Sequence, residues 1–379
     1  MTRVSEKSLI DIRRQLHQIP EIGLEEYQTH DYLMSKIGEL PQDKLEISTQ
    51  DTAIIVKVKG SESSKNICWR TDMDGLPIQE ETFLPFASTH EGKMHACGHD
   101  VHMTIALGLL NNVVDANLKN DVLFFFQPAE ENKSGAKIYT DNGFLLPSDI
   151  DEIYGLHVSP DLPVGVVSTC EGTMFAGDCG FKVTFKGKES HAALPHEGND
   201  MIIAAAAFIQ QTQTIVSRNV NPMESSVITF GQMHAGSADN ILPGSSVLSG
   251  TIRTLTHDMT DLVLARFKEV AEGVALTYQC QVDLDFNQLG YVPVVNNSKT
   301  TKQLVDFFES TKSIELKQAS PLMTAEDFGY LLKQIPGTMF WLGVDSEYGL
   351  HHPKFNPDEQ AIEIAVNLMT DFMIEWDKK

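Results

Sequence analysis

The sequence is short of positive charge, of cysteine and of long apolar runs, and each shortage removes a class of function. Lysine and arginine number 29 against 52 aspartates and glutamates in 379 residues, a formal net charge of -23. Nucleic acids and anionic membrane surfaces repel such a chain. A small substrate held by a few local cations is still compatible with it. The five cysteines, Cys68, Cys97, Cys170, Cys179 and Cys280, are odd in number and lack the dense spacing of a secreted disulfide framework. They read as reduced thiols, and Met1 to Lys7 lacks the apolar core of a signal peptide. No apolar run approaches the roughly 20 residues of a spanning helix. Repeats, low-complexity segments and phosphate-cradling glycine loops are missing as well. The expectation is a cytoplasmic protein, long enough for two domains.

What the chain has instead is metal-ligand chemistry. Met94-His95-Ala96-Cys97-Gly98-His99-Asp100-Val101-His102 packs a thiol and three imidazoles into nine positions. Cys97 and His99 flank Gly98 just ahead of the apolar helical run Met103 to Val114, so a strand-to-helix turn would aim both at one point. Thiolate and imidazole suit zinc and its first-row neighbours. A lone Cys-Gly-His is equally an accident of a His-rich turn, and the rest of the chain decides between the two readings.

Further candidates stand at the ends of expected strands. Asn66 to Arg70 reads as a strand and runs into Arg70-Thr71-Asp72-Met73-Asp74-Gly75-Leu76-Pro77, at the edge where open α/β sheets bind ligands. Asp72 is the functional candidate there, while Asp74 reads as part of a solvated turn closed by Gly75 and Pro77. Asp121 to Phe126 is apolar enough for a strand buried on both faces. It ends in Gln127-Pro128-Ala129-Glu130-Glu131, and adjacent carboxylates can divide the work, one on a metal and one as general base. Ile150 to His157 delivers His157 in the same way, and Thr338 to Gly343 feeds His351 and His352. His17, on an amphipathic helix from Ser8, reads as a surface or packing histidine.

From Asp178 the pattern changes. Phe181 to Lys186 alternates apolar and polar residues, as a strand with one wet face does. Strands at Ser226 to Met233, Ser246 to Thr254 and Cys280 to Phe286, with helices at Met201 to Val216 and Met259 to Ala275, complete the ferredoxin-like order strand-helix-strand-strand-helix-strand. The expected fold class is therefore α/β. A catalytic domain with a mixed, mostly parallel sheet occupies residues 1–177 and 289–379, and an inserted α+β lid occupies 178–288.

Cys97, His99, Glu131, His157 and His352 make five potential ligands, more than one tetrahedral ion takes and enough for a pair of divalent ions. Such a pair polarises a carbonyl and brings the pKa of water from about 15.7 to roughly 7. Glu130 would act as base, Asp72 would hydrogen-bond a ligating imidazole, and the chemistry would be hydrolysis of an amide.

The motifs Arg70 to Pro77, Met94 to Asp100, Gln127 to Glu131 and Gly349 to His352 together resemble the M20 metallopeptidase family, in particular its amidohydrolase branch, whose members remove acyl groups from amino acids. The resemblance spans essentially the whole chain. It implies two divalent ions (zinc, manganese, cobalt or nickel) on the same five ligands, Glu130 as base, Asp72 as an active-site residue and a lid that also makes a homodimer contact. Which glutamate of the pair takes the proton is left open. The resemblance further implies that His191, in Gly187 to Pro195, steadies a developing oxyanion. Asn240, in Ser237 to Pro243, and Arg253, in Gly250 to Arg253, would touch substrate, Arg253 by pairing a carboxylate. Ile12 to Glu21, Leu40 to Lys44, Met323 to Tyr330 and Met339 to Gly343 resemble branch members that release acetate from an N-acetylated diamino dicarboxylic acid in lysine biosynthesis. The rival readings are another acyl-amino acid such as hippurate, a binding protein without turnover, and a dipeptidase. Against the dipeptidase stands Arg70-Thr71-Asp72 in place of a His-x-Asp metal motif.

Overall fold

The computed structural model describes residues 3–378. Contacts divide the chain into two compact units. One takes the chain up to Met174, Val295–Ser320 and the segment from Asp327 on; the other takes Phe175–Val294 and Pro321–Glu326. In chain order the main strands are β1 (Leu45–Gln50), β2 (Ala53–Val58), β3 (Asn66–Asp72), β4 (Asp121–Gln127), β5 (Glu152–Ser159), β6 (Val166–Thr169), β7 (Gly177–Lys186), β8 (Ser226–Ala235), β9 (Ser245–Thr254), β10 (Gln281–Asn287), β11 (Glu315–Gln318) and β12 (Gly337–Gly343). The helices used below are α1 (Glu6–His17), α2 (Tyr27–Gly38), α3 (His99–Val114), α4 (Met201–Arg218), α5 (His257–Thr277) and α6 (Gln360–Trp376).

The first unit is built on a sheet of order β1-β2-β4-β3-β5-β12-β6-β11. The central run β4-β3-β5-β12 is parallel throughout. Every residue of β4 and β12 is buried, which is why both read as continuous apolar runs without alternation. Helix α3 is apolar on nearly all sides because it packs on the sheet, α1 and α6 together. This is the mixed α/β fold the sequence led us to expect. Two strands were not foreseen: β1, Leu-Glu-Ile-Ser-Thr-Gln, and β11, Glu-Leu-Lys-Gln, lie at the sheet's two edges and carry mostly polar, exposed side chains. Between β11 and β12 lies a short helix, Phe328–Leu332.

Parallel strands put their carboxyl ends on one edge, and in an α/β sheet that edge is where side chains of distant sequence meet. Here it gathers Asp72 from β3, the Glu130-Glu131 turn after β4, His157 from β5 and the His351-His352 turn after β12.

The second unit is an antiparallel sheet of order β8-β9-β7-β10 with α4 and α5, the ferredoxin-like arrangement. It has its own core, in which Phe181, Phe185, Phe208 and Phe267 pack together. Among the described residues no helix is long and apolar enough to cross a membrane.

Candidate metal centre

Gly98 makes the turn into α3 possible. It has φ +82°, and a Cβ there would come within 2.6 Å of Val158 Cγ2. Only glycine takes that conformation in that space without cost. Cys97 and His99 are thereby held on either side of the bend, at the amino end of a buried helix.

The ring tautomers follow from the carbonyls they meet. His99 Nδ1 donates to Asp74 O (2.8 Å) and His157 Nδ1 donates to Val158 O (2.9 Å), since a carbonyl only accepts. Each Nε2 is then the nitrogen that faces the cluster, which is how ligating histidines are oriented. His157 Nε2 lies 3.4 Å from Cys97 Sγ, and His99 Nε2, fully buried, makes no hydrogen bond. Glu131 Oε1 is likewise buried and makes no well-formed hydrogen bond, although His351 Nε2 lies 3.3 Å away. Buried polar atoms without partners are rare. The donor atoms of Cys97, His99 and His157 lie within 4.8 Å of one another, as do those of Cys97, Glu131 and His351, and those of His99, Glu130 and Glu131. Sulfur, imidazole nitrogen and carboxylate oxygen converging in this way fit a pair of divalent cations.

The electrostatics agree. Burial opposes charge on His99, but Asp72, Asp74 and Glu131 outweigh it and push its pKa up to about 10. Burial, with Glu131, Glu130 and Asp72 beside it, holds the Cys97 thiol well above its ordinary value. The negative field that retains these protons equally favours divalent cations where the side chains converge, and metal binding would displace the protons. Burial and His102 push His157 the other way, to about 3, so it stands neutral as a ligand must.

A cradle of carboxylates fixes the Glu130-Glu131 turn. Asp74 is buried, not solvated as the sequence suggested. Its Oδ1 accepts from Glu130 N and its Oδ2 from Glu131 N, both at 3.0 Å. The preceding Ala129 has φ +60°, unfavourable for a residue with a Cβ, and its N–H is held by Glu26 Oε1 at 2.8 Å. Glu26 also accepts from Thr52 Oγ1 at 2.8 Å. Three consecutive amides are thus gripped by two buried carboxylates from α2's start and from the turn after β3. Burial, together with Asp74, raises Glu26 to about 7.

Arg70 is the hub of a second network. It donates to Gln127 Oε1 (2.9 Å), Asp72 Oδ2 (2.8 Å) and Asp327 Oδ1 (2.8 Å). Asp327 also receives Gln127 Nε2 and Ala136 N. Asp72 accepts from His102 Nδ1 at 2.7 Å, and His102 Nε2 accepts from Val158 N at 3.1 Å. With both ring nitrogens engaged, His102 is an orienting group and not a ligand. Burial disfavours charge on Asp72, yet His99, His102 and Arg70 together hold its pKa well below the ordinary carboxylate value. The imidazole that Asp72 hydrogen-bonds is therefore His102, while His99 Nε2 stands 3.7 Å from Asp72 Oδ2.

Of the expected site residues, Asp72, Cys97, His99, Glu130, Glu131 and His157 come together. His352 does not join them. Its Nδ1 accepts from Lys354 N at 3.1 Å and its ring stacks on Tyr348 at 4.5 Å. The neighbour His351 reaches the cluster, with Nε2 3.3 Å from Glu131 Oε1. It does so because its φ is +63° and its N–H is tied to Ala96 O at 2.8 Å, beside Cys97. Sequence offers two adjacent histidines and no way to see which one the turn points inward. Of the two readings for His17, surface or packing, the structure has the second. His17 is buried, with Nδ1 2.8 Å from Asp100 and Nε2 3.2 Å from Glu80.

In the second unit, His191 and Asn240 lie together: His191 pairs with Ile241 across a short two-stranded sheet, and Ala192 N donates to Asn240 O at 3.0 Å. His191 is exposed, and its Nδ1 accepts from Ala193 N. Arg253 donates to Met323 O at 3.0 Å and lies 3.4 Å from Asp178 Oδ2.

Comparison with known proteins gives the same direction. Residues 68–375 match the model of peptidase family M20/M25/M40. The chain is 54% identical over 366 residues to the N-acetyldiaminopimelate deacetylase of Streptococcus gordonii, covering 96% of this chain and 97% of that one. It is 53% identical over 369 residues to the enzyme of the same name from Streptococcus uberis, covering 97% and 98%. A dinuclear metal-binding peptidase of family M20 from Bacillus subtilis superposes with a TM-score of 0.86 at 30% identity, covering 98% of both chains.

Proposed function

The chain belongs to peptidase family M20/M25/M40, and we propose that it is a metal-dependent amide hydrolase that releases acetate from N-acetyl-L,L-2,6-diaminopimelate, leaving L,L-diaminopimelate for lysine biosynthesis. The substrate rests on the relatives that carry the deacetylase name at 52–54% identity. The observation that carries the chemistry is the meeting of a buried His99 Nε2 and a buried Glu131 Oε1, neither in a well-formed hydrogen bond, beside Cys97 and His157.

In this reading Cys97, His99, Glu131, His157 and His351 hold two divalent ions, with His351 in the place the sequence suggested for His352. When bound, the ions supply Lewis acidity toward the acyl carbonyl and lower the pKa of water. Glu130 takes the attacking water's proton on its carboxylate and returns it to the departing amine nitrogen. It is held for this by Asp74 at its own amide and by its Oε1 contact with Asp327 N at 3.4 Å. Asp72 stiffens the base of the site through His102 and Arg70. His191, Asn240 and Arg253 are the proposed substrate contacts, supported by the resemblance of their segments. A homodimer in the cytosol belongs to the same reading and has the same support.

The test is acetate release from N-acetyl-L,L-diaminopimelate, side by side with hippurate and N-acetylated monocarboxylic amino acids, before and after chelation and with added Zn²⁺, Mn²⁺, Co²⁺ or Ni²⁺. A preference in kcat/KM for the first substrate, abolished by chelation, is expected. Equal activity on all of them would leave the hydrolase standing and discard the substrate. Activity untouched by exhaustive chelation would discard the metal chemistry.

A further inference from the structure

Diaminopimelate acetylated at one end carries at its other end a carbon bearing both a free ammonium and a carboxylate. Recognising that end requires acceptor carboxylates and a cation close together, at the right reach from the scissile amide. This inference rests on the substrate proposed above.

Beside the His351-His352 turn the first unit has a cavity of about 380 Å³, walled by Glu81 and Phe83 on one loop and by Glu347, Tyr348, Lys354 and Asn356 on the other. The two loops are joined at Glu81, whose N–H donates to Pro353 O at 2.8 Å. Tyr348 lies flat on the His352 ring, 4.5 Å away at 19°, and Lys354 Nζ stands 6.0 Å from the Tyr348 ring. The carboxylates of Glu81 and Glu347 have no ion-pair partner among the described residues, and the Lys354 ammonium has only Tyr348. The cavity is therefore lined by both signs of charge, on exposed side chains.

The reach is within bounds. Tyr348 lies three positions from His351, whose Nε2 is 3.3 Å from Glu131, and three Cα–Cα steps span at most about 11 Å. From the acyl carbonyl to the far carbon of the substrate is roughly 8 Å, six bonds of about 1.5 Å in zigzag. Phe83 adds an apolar wall for the intervening methylenes. It is 90% exposed and sits at φ +57°, an expensive placing for an aromatic residue. Such placings cluster at binding sites.

We propose that this cavity is the subsite for the far amino-acid head of the substrate, with Glu81 and Glu347 on its ammonium, Lys354 on its carboxylate and Phe83 along the chain. Charge-assisted hydrogen bonds of this kind make the subsite a determinant of specificity and not of the chemical step.

The experiment compares the wild type, Lys354→Met and the double variant Glu81→Gln/Glu347→Gln on three substrates: N-acetyl-L,L-diaminopimelate, Nα-acetyl-L-lysine, which has a far ammonium alone, and N-acetyl-L-2-aminopimelate, which has a far carboxylate alone. Lys354→Met should raise KM about 10- to 100-fold for the first and third, at unchanged kcat, and leave the lysine derivative alone. The double variant should do so for the first and second, and leave aminopimelate alone. An equal loss on all three substrates, or no loss on any, overturns the subsite. Wild-type inactivity toward N-acetyl-L,L-diaminopimelate is a different failure, visible before any variant is made. It removes the substrate reading and the subsite with it.

Discussion

Asp74→Asn isolates the contribution of the carboxylate cradle to catalysis. Asp74 makes two kinds of contact. Its backbone carbonyl accepts from His99 Nδ1 and survives the substitution, whereas its side chain holds the amides of Glu130 and Glu131 at 3.0 Å each. An ionised acceptor is worth about 1.5–3 kcal/mol per hydrogen bond, a neutral one about 0.5–1.5. Asparagine keeps one oxygen as a neutral acceptor and turns an NH₂ toward the second amide, leaving that N–H buried and unpaired. The cost at the two glutamates is about 2–4 kcal/mol, beside the smaller effect of removing the charge 3.4 Å from His99 Nδ1. If half is felt in the transition state, kcat falls about 5- to 30-fold. The assay is steady-state acetate release with bound metal measured on the same preparation. Metal retained through His99, with kcat reduced, is the expected result. Wild-type kcat at wild-type metal content would show that Asp74 does not position the pair.

His351→Ala should lose bound metal and activity together, while His352→Ala, whose ring stacks on Tyr348 and accepts from Lys354 N, should keep its metal; plasma emission analysis of both variants decides, and the opposite result gives the ligand role back to His352. For Glu26 the folded-state pKa, about 7, lies above the ordinary carboxylate value of 4.5. The native state then binds more protons than the unfolded one between those values, so Glu26 contributes stability that is complete below pH 4.5 and is lost as pH rises through 7. Glu26→Gln should remove that slope, and denaturant midpoints measured from pH 4.5 to 7.5 that run parallel to the wild type would refute it.

The ladder of strands in the first unit was legible because a parallel strand covered on both faces must be apolar at every position, as β4 and β12 are. Edge strands face no such requirement, so polar β1 and β11 left no trace. The same logic governs the site. Cys97, His99 and the glutamate pair stand out together because thiol, imidazole and adjacent carboxylates recur where the chain leaves or enters buried elements, although no one of them is decisive alone. Asp74 and Glu26 do the supporting work with residues common in any solvated turn or helix start, and nothing local separates buried from exposed carboxylates.

By itself the sequence determined which strands would be buried, where the chain changes from continuous to alternating pattern, and which chemical groups stand at the strand ends, because each depends on residues close together in the chain. Only the tertiary structure decided which nitrogen of each imidazole carries the proton, that His102 orients while His99 faces the cluster, and that His351 and not its neighbour turns inward. Those choices depend on carbonyls and amides supplied by other strands, Ala96 to His351, Val158 to His102 and Asp74 to the glutamates, and a hydrogen bond between distant segments exists only once the sheet has brought them together.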